Sequence, residues 1–243
     1  MLSSTLGKID GLDIGKHPLV VKLMKGAYNK KPPIPKYTGF WDINLVINYV
    51  ISLGPNYELS FSTLSTKLAV LLALSSLCRV SEFVSIAKDS IVIDDDQAKF
   101  SLSVPRKSQR ASPCQLITLK KLHPVSLTCP VETLKQYISV SEPFRVGEKS
   151  RLLLLSLRPP RNSVSGSTVA RWIKSILSEA GVDTAFYSAH STRGASASNA
   201  ASLGDAIGRY LVSRLLECGV YLSPFYRRPA AGASVASALH GGR

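Results

Sequence analysis

The sequence predicts an α+β fold that is mainly α-helical and contains one small antiparallel sheet or hairpin. Two observations favour this fold class. Apolar residues recur at helical spacing in several segments, whereas around residues 98–119 they alternate with polar residues, as in half-buried strands. The chain has 243 residues, 45% hydrophobic and 19% charged, so it is long enough and apolar enough for one well-packed domain.

Residues 1–41 differ in composition from the rest of the chain. They are rich in Gly, Lys and Pro and end in NKKPPIPKYTG, which predicts a linker with little core of its own. No positively charged segment runs into an apolar stretch there, so no signal peptide is expected. The longest purely apolar run, Leu68 to Leu74, is far shorter than the roughly 18 residues of a membrane span, so no membrane partner is expected.

Two helices are predicted next. The segment WDINLVINYVISLG predicts a helix that begins at the N-cap Asp42 and ends at Gly54. The segment LSTKLAVLLALSSL predicts a second helix, which is apolar nearly all round and therefore buried. It leads to Arg79 and Glu82. Charges at the end of a core helix need partners, so these two are either a structural ion pair or part of a functional site.

A hairpin follows. Its first strand has alternating apolar positions, Ala98, Phe100, Leu102 and Val104. The segment CQLITL predicts the returning strand. The turn between them, PRKSQRASP, carries three cations: Arg106, Lys107 and Arg110. This tip either reaches into a groove of a partner or is an ordinary solvated turn.

Three more helices are predicted in the second half of the chain. CPVETLKQYISV has Pro130 at a favourable first position. SGSTVARWIKSILSEAG ends at Gly181, where a C-terminal cap belongs, and DAIGRYLVSRLLECG is the last helix. The chain closes with YLSPFYRRP and an Ala/Gly/Ser-rich tail, which is expected to be disordered. The middle helix has the clearest apolar stripe: Val169, Trp172, Ile173, Ile176, Leu177 and Ala180.

Net charge and motifs limit the function classes. Thirty basic against sixteen acidic residues give a net charge of +14, which suits a polyanion, DNA or RNA, although a basic surface without a partner has the same composition. The four cysteines show no CxxC spacing and the four histidines are scattered, so no metal site is expected and the thiols are typical of an intracellular protein. No phosphate-binding or dinucleotide-binding glycine motif occurs, so neither a cofactor nor a small-molecule substrate is expected.

One short segment points to specific chemistry. In FYSAHSTRGASASNAASLG, His190 and Arg193 are three positions apart, which makes their side chains neighbours on a helix. A structural pair would account for the spacing. An anion site would also account for it, with Arg193 as a fixed charge and His190 as a switchable donor.

The ordered set Arg79, Lys107, His190, Arg193 and Tyr226 resembles the tyrosine recombinases, the phage integrases and their relatives. The phrases HPLVVKLMKG, FWDINLV, LLALSSLCRVSEF, SAHSTRGAS and FYRRP are most similar to the recombinases of DIRS-like retroelements and Crypton elements. The resemblance extends over about residues 17–229. No single phrase is specific; the order and spacing carry the resemblance.

The resemblance implies a domain organisation and a reaction. Residues 1–41 would be a remnant of the N-terminal core-binding domain and linker, 42–229 the catalytic domain, and 230–243 the disordered tail. The reaction is DNA strand cleavage and rejoining through a 3′-phosphotyrosine, without cofactor or metal. Tyr226 would be the nucleophile, favoured over the neighbouring Tyr221 by its place in FYRRP.

The remaining roles follow from the same resemblance. Arg79 and Arg193 would bind the scissile phosphate, and His190 would hydrogen-bond the phosphate or take the tyrosine proton. Lys107 would protonate the leaving 5′-oxygen, although Arg106 and Arg110 share its turn. Glu82 would brace the first arginine.

The resemblance also implies a partner and a setting. The partner would be double-stranded DNA, in a homo-oligomer that forms a tetrameric synapse when full length. The setting would be integration or recombination of a mobile element in the nucleus. The cations expected to contact DNA are Lys30, Lys31, Arg106, Arg110, Arg171 and Lys174.

The sequence departs from the family near its end. Leu216 stands where the family places a second His or a Trp, and leucine donates no hydrogen bond to a phosphate. Pro224 lies two residues before Tyr226, where the family continues a helix that proline breaks or kinks. The alternative hypothesis is therefore a non-catalytic, basic nucleic-acid-binding module.

Overall fold

The computed structural model describes residues 7–32, 39–76, 78–104, 116–122 and 126–203. The chain divides into two compact units, residues 1–38 and 39–243. Among the described residues, no helix has the length and apolar character needed to cross a membrane.

The N-terminal unit contains a helix where a linker was predicted. Helix α1 (Pro18–Lys30) follows a single 3-10 turn, and none of its residues is buried. Pro18 occupies the first position, where its missing N–H is not needed. The Gly, Lys and Pro content of this region concealed the helix.

Helix α2 (Ile43–Ser52) and helix α3 (Phe61–Ser75) begin the larger unit, as predicted. The Asp42 carboxylate accepts a hydrogen bond from the Asn44 N–H at 2.9 Å, and Gly54 ends the turn after α2 with a φ of +82°. Ten residues of α3 are buried, and α3 contacts helices on several sides. It is the centre of the core.

The predicted hairpin is present as part of a three-stranded antiparallel sheet. Strands β1 (Val92–Ile93), β2 (Gln97–Phe100) and β3 (Ile117–Lys120) lie in that order. Ala98 lies opposite Leu119, and Phe100 lies opposite Ile117. The first strand of the hairpin is thus shorter than predicted, and β1 is an addition that alternation did not reveal.

Two further positions of the predicted first strand, Leu102 and Val104, lie beyond the end of β2. Leu102 is buried but forms its bridge with Ile86, in another part of the chain, and Val104 is 59% exposed. The predicted tip lies outside the described residues.

Helix α4 (Val80–Phe83) is a single turn after α3, and helices α5 (Pro130–Ser141) and α6 (Gly166–Glu179) match the prediction. The predicted stripe of α6 is buried except for half-buried Ala180, and Gly181 ends the helix with a φ of +84°.

Helix α7 (Ser191–Leu203) is the last described element and packs against α2 and α3. The predicted helix after it, the tail 230–243, Leu216, Pro224 and Tyr226 all lie outside the described residues.

Candidate functional site

Arg79 and Glu82 are held together at the start of α4. The Glu82 carboxylate accepts one hydrogen bond from the Arg79 guanidinium and one from the Arg79 N–H, each at 3.0 Å. The Glu82 side chain is only 10% exposed, whereas the Arg79 side chain is 42% exposed. The carboxylate therefore holds Arg79 at its backbone N–H and at one guanidinium nitrogen. Part of the guanidinium remains accessible to a ligand.

The local sequence explains why Arg79 lies at this place. Helix α3 ends at Ser75, and Arg79 then occupies the N-cap of α4 with an extended backbone. Glu82, three residues later, returns its carboxylate to the free N–H of the cap, as the acidic member of a capping box does. One acidic residue thus satisfies a helix end and orients a charge.

His190 and Arg193 lie together at the start of α7. His190 directly precedes the helix and is exposed. Arg193 is half-buried in the first turn, and its Nε is buried with no hydrogen-bond partner among the described residues. A buried donor without a partner is costly, and an anionic oxygen is the acceptor that best removes this cost.

The small residues after Arg193 permit an unusually close contact. A β-carbon added to Gly194 would lie 2.2 Å from Cε1 of Phe40, far closer than van der Waals contact with the ring allows. Phe40 is buried, and so are Ala195 and Ala197. The run of small residues is therefore a packing surface.

The two pairs lie on elements that share a neighbour. Helix α4 packs against α3 and α6, and α7 packs against α3 and α2. The structure thus pairs Arg79 with Glu82 and places His190 and Arg193 on one helical turn. Lys107 and Tyr226, the other predicted catalytic residues, lie outside the described residues, as do Arg106 and Arg110.

The predicted DNA-contacting cations that are described lie at the surface. Arg171 and Lys174 are exposed on the face of α6 opposite its buried stripe. Lys30 and Lys31 are exposed at the end of α1, in the N-terminal unit. Their exposure leaves all four charges accessible to a polyanion.

A groove beside α6 contains a cation that the sequence analysis missed. Its volume is about 770 Å³, and its lining includes Arg158, Ser165, Thr168 and Arg171. Arg158 is exposed and stands in the segment RPPR, where its charge beside two prolines was the available signal. Arg161 of the same segment stacks instead on the ring of Phe61, 4.4 Å from its centroid.

Solved structures of recombinases resemble this fold. The chain is similar to the XerA recombinase, with a TM-score of 0.55 and 16% identity over 87% of this chain and 68% of that one. It is also similar to the XerH site-specific recombinase in a pre-cleavage complex with its difH substrate, with a TM-score of 0.51 and 12% identity over 76% of this chain and 53% of that one. The chain thus spans about half the length of XerH.

Sequence comparison gives no relative. No family model matches the chain, and no protein of curated function is similar to it in sequence. The similarity is one of fold: XerA and XerH are tyrosine recombinases, and the predicted fold class is confirmed. The chain has the mainly helical fold, with a small antiparallel sheet, of a tyrosine recombinase catalytic domain.

Proposed function

We propose that this chain cleaves and rejoins DNA strands as a tyrosine recombinase. The observation that carries the proposal is that Arg193 is half-buried and that its Nε has no hydrogen-bond partner among the described residues. It lies one turn from exposed His190, in a fold that this chain shares with recombinases. A phosphodiester oxygen satisfies both the charge and the missing acceptor.

The reaction is a phosphodiester exchange. The Tyr226 hydroxyl attacks the phosphorus, the bond from phosphorus to the 5′-oxygen breaks, and a 3′-phosphotyrosine forms. The tyrosine proton passes to His190, and Lys107 gives a proton to the leaving 5′-oxygen. Attack of a 5′-hydroxyl on the phosphotyrosine reverses these steps. The number of phosphoester bonds is unchanged, so no nucleotide is consumed.

The two arginines stabilise the transition state. Negative charge increases on the non-bridging oxygens when the phosphorus becomes five-coordinate, and guanidinium groups donate in a fork that matches those oxygens. Arg79 is suited to this role because Glu82 holds one nitrogen of its guanidinium while part of the side chain stays exposed. Arg193 is suited to it because burial strengthens its electrostatic interactions.

A second candidate function is a non-catalytic DNA-binding module. Leu216 stands where the resembled family has a histidine or tryptophan, and Pro224 lies two residues before Tyr226, where that family continues a helix. Leucine donates no hydrogen bond to a phosphate oxygen, and proline breaks or kinks a helix, so both departures favour a module without catalysis. The net charge of +14 serves either function.

The proposal includes a partner and a setting. The partner is double-stranded DNA, in support of which XerH is seen with its difH substrate. The protein forms a tetrameric synapse in the nucleus, where it integrates or recombines a mobile element. The phrases shared with DIRS-like and Crypton recombinases support this setting.

Trapping of the covalent intermediate tests the reaction. We would incubate the protein with a pool of nicked duplexes of random sequence, from which the cleaved fragment diffuses away, and analyse adducts under denaturing conditions. We expect an adduct with the wild type and with Tyr221→Phe, and none with Tyr226→Phe. DNA binding without any adduct would overturn the recombinase proposal and favour the non-catalytic DNA-binding module.

Substitution of Arg193 separates binding from chemistry. Arg193→Ala removes charge stabilisation needed mainly in the transition state, so adduct formation should fall by roughly a hundredfold or more while DNA affinity changes little. Lys30→Ala, the matched control at the surface, should weaken binding and leave the rate at saturating DNA unchanged. Equal effects of both variants on binding, without adduct, would make Arg193 a phosphate clamp.

A further inference from the structure

Trp41, near the start of the larger unit, is hydrogen-bonded to the first residue of α7. Its indole Nε1 donates to Ser191 Oγ at 2.9 Å, and both residues are buried. Ser191 Oγ in turn donates to the Ser188 carbonyl at 2.7 Å. An indole N–H can only donate, so Ser191 Oγ accepts from Trp41 and its own single proton goes to the Ser188 carbonyl. The start of α7 is thus held by residue 41.

Two further contacts join the same regions. The Tyr187 hydroxyl, before α7, donates to the Gly39 carbonyl at 3.4 Å, and the Phe40 ring covers Gly194 within α7. Phe40 is 8% exposed and Tyr187 is 7% exposed. Residues 39–41 therefore contact the chain on both sides of the turn that carries the candidate site.

We propose that Phe40 and Trp41 are positioning residues that orient His190 and Arg193 through the first turn of α7. This inference rests on the proposed function. The five residues that follow Arg193, 194–198, have small side chains, so they offer few rotamer-locked contacts of their own. The aromatic pair supplies that fixed surface. Reacting groups lose much of their effect when displaced by about 1 Å, so the orientation of this turn affects rate more than affinity.

The indole hydrogen bond is tested with Trp41→Phe, which keeps an aromatic ring and removes the N–H. We expect adduct formation at saturating nicked DNA to fall by about tenfold or more and DNA affinity to change by less than about twofold. Tyr49→Phe is the matched control, because it removes the bond from α2 to Glu179 of α6. Wild-type cleavage by Trp41→Phe, or an equal loss in Tyr49→Phe, would overturn the proposal.

The ring contact is tested by a crowding and rescue pair. Gly194→Ala places a methyl group inside the volume of Phe40, so cleavage should fall sharply. Phe40→Leu in the same chain removes the two ring atoms nearest that methyl group, Cε1 and Cζ, and the double variant should regain most of the cleavage rate. A double variant that folds but cleaves no faster than Gly194→Ala would contradict the positioning role.

A readout without DNA separates this inference from the proposed function. The Nε–H resonance of Arg193, assigned by its loss in Arg193→Lys, reports on the orientation of the guanidinium in the free protein. We expect it to shift or broaden in Trp41→Phe and to remain unchanged in Tyr49→Phe. If the wild type formed no adduct, the recombinase proposal would fail, whereas an unchanged resonance in Trp41→Phe would overturn the positioning role itself.

Discussion

Glu82 accepts two hydrogen bonds from a single residue, Arg79, one from its guanidinium and one from its backbone N–H. The same carboxylate therefore completes a helix cap and holds a charge that is 42% exposed. Stability and the candidate site depend on one buried group, so both should respond to its replacement.

Glu82→Gln should lower the free energy of unfolding by about 1.5–3 kcal/mol, the usual range for hydrogen bonds to charged groups. Urea denaturation measures this change. Glu148→Gln is the matched control. Glu148 also pairs with an arginine three residues away, at 3.7 Å, but its side chain is 90% exposed. Its cost should lie between about 0 and 1 kcal/mol. Equal losses in both variants would contradict the role of burial.

Lys67→Met should change how the free energy of unfolding depends on pH. Lys67 is 0% exposed, and its Nζ donates to the Gly54 carbonyl at 3.0 Å. Burial lowers the pKa of this ammonium below its ordinary value of 10.5. The unfolded chain then binds the ammonium proton of Lys67 more tightly than the folded chain does. The free-energy cost of burying the charge is therefore fully present below the folded-state pKa and disappears as the pH rises towards 10.5.

The measurement is the unfolding free energy of the wild type minus that of Lys67→Met, determined from pH 7 to pH 10. We expect this difference to increase with pH. Lys135→Met, in which an exposed lysine of α5 is replaced, should show no trend. A difference that stays constant for Lys67→Met would show that its ammonium is solvated in the folded state.

Tyr49→Phe should show the opposite dependence on pH. The hydrogen bond to the Glu179 carboxylate, with a smaller contribution from burial, raises the pKa of Tyr49 from 10.0 to about 12. The folded state therefore holds this proton more tightly, and its stabilising effect is present below pH 10 and lost between about pH 10 and 12. Unfolding experiments should find about 1 kcal/mol between wild type and variant at pH 8, decreasing above pH 10. Tyr57→Phe, at a side chain 75% exposed, should differ little from wild type throughout.

Arg171→Ala should weaken DNA binding through lost charge. Arg171 is exposed beside Arg158 in the groove along α6, where phosphates can approach. Each phosphate contact releases counterions, so the slope of log affinity against log salt should flatten by about one unit. Arg171→Lys keeps the charge and should keep the slope. Salt titrations in which both variants match the wild type would exclude this surface from the DNA interface.

The sequence predicted those features that depend on local periodicity. Helices α2, α3, α5 and α6 follow from apolar spacing with recognisable caps, such as Asp42 and the glycine after α6. The pairing of Arg79 with Glu82 was also foreseen, because two charges after a buried helix require partners.

Features that depend on distant contacts were not predicted. Leu102 alternates correctly but bridges to Ile86, a partner that alternation does not identify. The bond from Trp41 to Ser191 joins residues 150 positions apart, and neither residue carries a local signal for the other. The orientation of α7 is determined by such contacts, so the candidate site was located by its motif and understood only from the fold.

The contact between Phe40 and Gly194 constrains how this chain can evolve. A ring at position 40 and a β-carbon at position 194 compete for the same volume, with an overlap that leaves 2.2 Å between atoms. The two positions are therefore energetically coupled: the effect of a substitution at one depends on the residue at the other. A lineage that gains a side chain at 194 must first lose the ring at 40, and the reverse order passes through a crowded intermediate.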